Sequence, residues 1–434
     1  MLWSLKKMIM QLIKYPDYAE WNDIIARPAL DTTTLFDIVN TILNDVRENG
    51  DDAVLAYELK FDKVSLSSLK VTDVEILQAE SLISEELKQA IHLAVKNIEL
   101  FHTSQKHVSQ KIETTKGVTC WQKALPIEKV GLYIPGGTAP LFSTVLMLAI
   151  PARIAGCKEI VLCSPPNKDG KIHPAILYAA SIAGVTDIFK VGGTQAIAAM
   201  AYGTESIPKV YKIFGPGNQY VTAAKQLVSL KDVAIDMPAG PSEVLVIADK
   251  TANPAFVAAD LLSQAEHGTD SQSVLVTTDE YLGQKVITEI NKQLLNLPRK
   301  EFAGKSLENS KIILLETIQE VIDFTNLYAP EHLIIETENY QDIAESITNA
   351  GSVFLGHYTP ESAGDYASGT NHTLPTNGYA RAYSGVNLDS FTKKITFQEI
   401  TKDGIRDIGP SIEIMAETED LIAHKTAVTL RIKS

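Results

Sequence analysis

From Lys129 onward, short apolar runs alternate with helical segments, and this alternation constrains the fold more than any other feature of the chain. The runs are Lys129–Ile134, Glu159–Cys163, Asp187–Val191 and Val210–Phe214. Helices are expected near Phe142–Ala155, Pro174–Ala183 and Gln195–Tyr202, and from Asn218. After Met-Pro-Ala-Gly-Pro (237–241) the pattern resumes with strands over Glu243–Ile247, Ser273–Thr277, Lys311–Leu315, His332–Ile335 and Ser352–Leu355. Such β-α alternation argues for parallel sheets covered on both faces by helices. The expectation is an α/β fold with two doubly wound, Rossmann-like parallel-sheet domains. Open parallel sheets take ligands at the carboxyl ends of their strands, above all where strand order reverses. Candidate chemistry is therefore expected just after strands.

The remaining segments are read from spacing and composition. The first 110 or so residues read as helical: Ser84 to His107 has apolar positions at helical spacing, and Asp31 suits an N-cap for a segment through Arg47. His92, His102 and His107 have no partner motif and read as solvated or merely packed. Residues 359–385 are rich in Gly, Ser, Thr and Asn, which suggests an ordered functional loop. The expected organisation is a helical N-terminal segment at 1–27, a discontinuous Rossmann-like domain at 28–132 with 240–385, and a second at 133–239. A small C-terminal unit at 386–434 ends in a helix near Thr418–Leu430.

Composition narrows the function. A chain of 434 residues exceeds one ordinary core, so roughly two or three globular units are expected. The formal charge of −14 disfavours a nucleic-acid surface, because phosphate rewards clustered cations. No window reaches the roughly 18 continuous apolar residues of a membrane span. The N-terminus mixes lysines into its apolar stretch without a small-residue cleavage site, so it is not read as a signal peptide and a cytoplasmic location is expected. The three cysteines, Cys120, Cys157 and Cys163, form no C-x-x-C pair, so neither a disulfide framework nor a thiolate metal site is suggested. Cys163 ends an apolar run and reads as a buried strand thiol.

Several polar stretches interrupt this pattern. Gly131-Leu-Tyr-Ile-Pro-Gly136-Gly137 joins a strand to a helix and could admit a phosphate, although a tight βα turn accounts for it without a ligand. Gly215-Pro-Gly217-Asn218-Gln-Tyr220 approaches the G-x-G-x-x-G fingerprint but carries Tyr220 at the third glycine position, so the usual dinucleotide fingerprint is missing. Gln264 and His267 are three apart at a helix end and share a face, yet glutamine is an uncommon zinc ligand and the pattern is not H-E-x-x-H. Glu331-His332 opens a strand: an adjacent acid and imidazole suit proton transfer, while side-chain alternation can turn such neighbours apart. Glu361-Ser-Ala-Gly-Asp365 through His372 gathers acids, imidazole and small residues as a ligand-binding loop would. Glu419 and His424 lie five apart on the last helix, where a solvated face is the ordinary reading.

Taken in order, these stretches resemble the histidinol dehydrogenase family along nearly the whole chain. The matching series is Gly-Leu-Tyr-Ile-Pro-Gly-Gly, Val-Gly-Gly-Thr-Gln-Ala-Ile-Ala-Ala, Ile-Phe-Gly-Pro-Gly-Asn, Ala-Gly-Pro-Ser-Glu, Gln-Ala-Glu-His-Gly, Ala-Pro-Glu-His-Leu and Gly-Asp-Tyr-Ala-Ser-Gly-Thr-Asn-His-Thr-Leu-Pro-Thr. The resemblance implies oxidation of L-histidinol to L-histidine through the aldehyde, with two NAD molecules reduced. It implies zinc ligands at Gln264, His267, Asp365 and His424, NAD contacts at Tyr133, Gln195 and Asn218, and substrate contacts at Ser242, His332, His372 and Glu419 beside the zinc ligands. It implies His332 as the base for hydride departure and Glu331 as the activator of water. It also implies a homodimer in which the C-terminal unit, with Glu419 and His424, completes the partner's site. None of these positions is substituted. The competing readings are a related zinc and NAD dehydrogenase of another amino alcohol or diol, a zinc hydrolase in which Glu331 activates water, and a non-catalytic binding protein.

Overall fold

The computed structural model describes residues 10–27, 33–136, 139–238 and 240–434. Asp31, Gly137 and Ala239, along with residues 1–9 of the expected N-terminal segment, lie outside the described residues.

Two parallel sheets carry the fold. The first has five strands: β4 (Lys129–Tyr133), β5 (Glu159–Ser164), β6 (Asp187–Lys190), β7 (Lys212–Phe214) and β8 (Ala234–Ile235), in the order β6-β5-β4-β7-β8. The second has six: β1 (Gln11–Lys14), β9 (Glu243–Ala248), β10 (Gln272–Thr277), β11 (Lys311–Leu314), β12 (His332–Glu336) and β13 (Ser352–Leu355), in the order β1-β11-β10-β9-β12-β13. The apolar runs become strands because helices cover both faces. In β4 and β5, Val130, Leu132, Ile160 and Leu162 enter one buried cluster, while Tyr133, Val161 and Cys163 enter the other. In β9 and β12, Val244, Val246 and Ile334 pack under the helix Pro254–Ala265, and Leu245, Ile247, Leu333 and Ile335 pack on the opposite side. Each fully buried side chain of this size stabilises the fold by about 1.5–3 kcal/mol. Cys163 is buried in its strand, as expected.

The structure departs from the sequence reading in three places. The N-terminal segment is not wholly helical: β1 adds to the edge of the six-stranded sheet, parallel to β11. The helices Thr33–Tyr57, Asp73–Ser81 and Glu85–Thr103 fall within 28–132, which was grouped with 240–385. They pack on the five-stranded sheet instead, placing Leu35, Val39, Val46, Ile91 and Ile98 in its two cores. Three further strands, β2 (Ile112–Thr115), β3 (Val118–Pro126) and β14 (Thr392–Ile400), form an antiparallel ribbon that ties the C-terminal unit to the middle of the chain. The strands β2 and β14 are exposed along nearly their whole length, so they carry no buried period for a sequence reader to find. Beyond the ribbon, the helices Lys402–Thr418 and Ile422–Ile432 pack on each other as a hairpin, with Gly409 against Ile432 and Val428.

In the five-stranded sheet the order reverses between β4 and β7, and the loops after these two strands flank a crevice. Gly215 sits there at φ 120, and a Cβ on it would lie 2.1 Å from the Tyr133 carbonyl oxygen, so only glycine fits. A buried ion pair holds the loop. Lys225 Nζ lies 2.5 Å from Asp236 Oδ1 and donates to the Gly215 carbonyl at 2.8 Å, while Asp236 Oδ2 accepts the Gly215 N–H at 2.8 Å. Replacing Lys225 by Met leaves a buried carboxylate unpaired and should cost about 3–5 kcal/mol in urea unfolding. A loss below about 1 kcal/mol would contradict this account of the loop.

Candidate active site

The two sheets meet at a cleft of about 1230 Å³. That exceeds the roughly 300–1,000 Å³ of a pocket for one small molecule and suits a place where two ligands come together. The five-stranded sheet contributes its carboxyl edge, through Pro135, Leu141 and Gly215–Asn218. The six-stranded sheet contributes its amino edge instead, because Glu243 and His332 are the first residues of β9 and β12. Chemistry was expected just after strands, and here it lies just before them. The reason is helix direction: Pro254–Ala265 runs back against β9 and ends with Gln264 and His267 at the amino edge. The partial negative charge of a helix C-terminus favours a cation at that place.

Glu331 and His332 do face one cleft, and the main chain of Glu243 is what turns them there. Glu331 Oε2 accepts the Glu243 N–H at 2.9 Å, and His332 Nδ1 stands 3.3 Å from the Glu243 carbonyl oxygen. A carbonyl only accepts, so Nδ1 carries the proton and Nε2 keeps its lone pair. Glu243 is itself fixed by a bidentate pair with Arg27, at 2.8 and 2.7 Å, and by the N–H of Asn377. Arg27 also donates to the Tyr328 carbonyl and lies 4.1 Å over the Tyr328 ring centroid.

Asp365 and Glu361 come from the short helix Glu361–Tyr366, which interrupts the stretch read as a loop. His332 Nε2 is 3.8 Å from Asp365 Oδ1, and His332 Nδ1 is 3.9 Å from Glu361 Oε1. His372 Nδ1 donates to the Asp365 carbonyl at 3.0 Å, and its Nε2 accepts from Thr144 Oγ1 at 3.1 Å. His267, Glu361 and Asp365 offer ligand atoms that all lie within 4.8 Å of one another. Both amide atoms of Gln264, Glu361 Oε2 and His332 Nε2 are buried without a hydrogen-bond partner among the described residues. Orphaned buried polar atoms cost stability, and several aimed at one place mark a ligand site. Imidazole, carboxylate and amide oxygen without thiolate are donors that suit zinc with positions left open for substrate. The residues present thus fit a metal ion.

Electrostatics agree. Burial pushes Glu331 and Glu361 well above the ordinary carboxyl range, helped by their negative neighbours, and pushes Asp365 up to about 7. Burial pushes His332 down to about 3 and His372 down to about 4. His267, solvent-reachable on the cleft wall, is lowered too by the protein crowded around it. Three acids crowded together resist ionising until a cation joins them, and a bound divalent ion reverses that balance.

Of the residues singled out in the sequence, Ser242, Gln264, His267, Glu331, His332, Asp365, His372 and Asn218 line this cleft. Asn218 also caps the helix Gln219–Ser229 through the N–H groups of Tyr220 and Val221. Tyr133 and Gln195 are buried and not among the lining residues. Glu419 and His424 are exposed on the C-terminal hairpin and do not line their own chain's cleft. Sequence reading missed the part played by Glu361, Glu243, Arg27 and Thr144. Glu361 had a signal, since it precedes Asp365 by four residues and one helical turn puts both carboxyls on a face. The others are joined to the site only by tertiary contact. His92 and His102 are packing histidines, bonded to Tyr178 at 3.0 Å and Gln105 at 3.1 Å.

Fold and site together define a class: an α/β enzyme of two parallel sheets whose imidazole and carboxylates converge on a thiol-free centre fit for a metal. The family model described as histidinol dehydrogenase matches residues 25–432. A histidinol dehydrogenase of Bacteroides thetaiotaomicron is 70% identical over 98% of this chain and 100% of its own length. One of Escherichia coli K12 is 54% identical, over 95% of this chain and 94% of its own. The crystal structure of histidinol dehydrogenase from Elizabethkingia anophelis is 59% identical with a TM-score of 0.96, covering 98% of both chains. The chain belongs to the histidinol dehydrogenase family, oxidoreductases of histidine biosynthesis.

Glu361 stands with His267 and Asp365 among the side chains that could hold a metal ion. Glu361→Gln should lower metal affinity about 10- to 100-fold, read as metal retained against a graded chelator. Retention equal to the unmodified protein would remove Glu361 from the centre.

Proposed function

We propose that this chain oxidises L-histidinol to L-histidine through L-histidinal, passing two hydrides in turn to NAD. The observation that carries this reading is the contact of His332 Nδ1 with the Glu243 carbonyl, which leaves Nε2, buried and without a hydrogen-bond partner among the described residues, free to act as base. Gln264, His267, Asp365 and the partner subunit's His424 would hold one zinc per subunit, with Tyr133, Gln195 and Asn218 contacting NAD. When bound, zinc holds the substrate by its imidazole and amino nitrogens, and NAD accepts each hydride.

The remaining work falls to side chains. His332 Nε2 takes the proton of the substrate hydroxyl as the first hydride leaves. Its depressed pKa keeps it neutral, the form a base requires. Glu331, clamped through Oε2, uses its other oxygen to take a proton from the water that adds to the aldehyde. Burial raises its basicity once it is ionised. As the water adds, His332 returns its proton to the aldehyde oxygen, and Nε2, free again, takes a proton from the gem-diol as the second hydride leaves. His372, held between Thr144 and Asp365, would orient the substrate together with Ser242 and the partner subunit's Glu419. Keeping the aldehyde in one water-poor cleft through both steps protects a reactive intermediate.

The C-terminal hairpin supports the reading of a homodimer. It carries His424 and Glu419 outward with Ile414, Met415, Leu421, Ile422 and Leu430 exposed on the same unit, the mark of a surface made to be covered. No helix among the described residues is long and apolar enough to cross a membrane. We place the enzyme in the cytoplasm because its relatives are enzymes of amino-acid biosynthesis.

Glu331→Gln and His332→Asn should each lower kcat about 10²- to 10⁴-fold while metal content stays stoichiometric, with two NADH per L-histidinol from the unmodified protein. Loss of metal from either variant would reassign that residue as a ligand. The shared site is tested by mixing subunits. His424→Asn and His332→Asn, each inactive alone, should regain about a quarter of full activity after equimolar exchange, because a mixed dimer has one intact site. No recovery on confirmed exchange would place His424 in its own chain's site.

A further inference from the structure

A second buried polar cluster takes no part in the steps above. Glu58 lies in the π-helical turn Glu58–Asp62 that follows the helix Thr33–Tyr57, and it is fully removed from solvent. Its Oε1 accepts the N–H of Gly192 at 3.0 Å and Nε2 of Gln195 at 2.8 Å. The next N–H, that of Gly193 at φ 58, donates to the Tyr133 hydroxyl at 3.1 Å. Side chains from three separate elements therefore close on the turn leading from β6 into the helix Gly193–Tyr202. The donor end of the Gln195 amide is spent on Glu58, and its acceptor, Oε1, is buried without a partner among the described residues.

A carboxyl in such a place is expensive. Burial, with Asp62 one turn on, pushes Glu58 up to about 7, and the facing groups that titrate are Asp62, Tyr133 and Cys163, with no cation among them. The surroundings are otherwise apolar, including Val161, Val191, Ala196 and Ala199. An apolar side chain of similar volume would fill the space but leave the Gly192 N–H and the Gln195 amide without this acceptor. Core packing alone does not call for an acid. The turn it holds lies at the carboxyl edge of the five-stranded sheet, the edge that lines the cleft.

We propose that Glu58 is a positioning residue for the dinucleotide: it fixes the Gly192–Gln195 turn and orients the Gln195 amide so that its oxygen is left as the acceptor for the cofactor. This rests on the reading above that Tyr133 and Gln195 contact NAD. It assigns a fixed role to a residue that touches neither the reacting atoms nor the metal centre. Two hydrogen bonds from one carboxylate orient both the backbone and the amide, so losing them should weaken NAD without changing the handling of histidinol.

The test is NAD affinity measured by titration calorimetry, with catalysis in parallel. Glu58→Met fills the same volume without an acceptor and should raise the Kd for NAD about 10- to 100-fold, leaving the KM for L-histidinol, kcat at saturating NAD and metal content unchanged. Glu58→Gln keeps an acceptor oxygen and should bind NAD within about threefold of the unmodified protein. Unchanged NAD affinity in a folded Glu58→Met protein overturns the proposal, since packing is then all that Glu58 supplies. Gln195→Ala, run beside it, separates the two ideas: no effect on NAD there means that the cofactor reading of this turn fails, whatever Glu58 does. Hydrogen exchange on the unmodified protein gives a reading that no variant's folding can spoil. The amides of Gly192 and Gly193 should gain protection on NAD binding, and unchanged protection counts against the proposal.

Discussion

Almost everything at the catalytic end of this molecule hangs on the first residue of one central strand. Glu243 uses its N–H on Glu331, its carbonyl on His332 and its carboxylate on Arg27 and Asn377. Because β9 and β12 pair in parallel with His332 opposite Val244, the two catalytic candidates are held by register rather than by loop packing. The carboxylate is nearly sealed from water, so its bidentate partner cannot be exchanged for solvent at low cost. Arg27 comes from the N-terminal segment and Asn377 from the long polar stretch, so one carboxylate joins regions 350 residues apart to the same strand end.

The two sheets bring opposite ends to the cleft, and their polarity divides the labour. At the amino edge of the six-stranded sheet a helix ends, and the partial negative charge of its C-terminus favours a cation beside Gln264 and His267. At the carboxyl edge of the five-stranded sheet helices begin, and the N-terminus of Gln219–Ser229 favours an anion beside Gly215–Asn218. The cleft thus offers one dipole end that suits a cation and another that suits an anion. Neither sheet alone offers both.

The central parallel strands were legible because they are apolar on both faces and alternate with helices. The runs at Lys129, Glu159, Asp187, Glu243, Lys311 and His332 start in the structure where the pattern placed them. The exposed ribbon formed by β2, β3 and β14 was not legible, since strands in contact with water on most residues leave no periodic trace. The site was legible as a set of polar interruptions in an apolar pattern. Its alternatives were not separable there, because two neighbours on a strand can face apart and a lone Gln264–His267 pair can be structural.

Sequence alone determined the element types, the two-sheet α/β class, the family resemblance and the residues worth suspecting, since these depend on local periodicity and on ordered motifs. Tertiary structure alone decided that imidazoles and carboxylates gather at the amino edge of one sheet, that Glu361 is among them, and that His424 does not line its own chain's cleft. It also decided that Tyr133 and Gln195 are buried, with Gln195 bound to Glu58. The physical reason is that burial and hydrogen bonding are pairwise and long-range. A residue's type is written at its position, but its protonation, its partner and the direction it faces come from atoms supplied by distant parts of the chain.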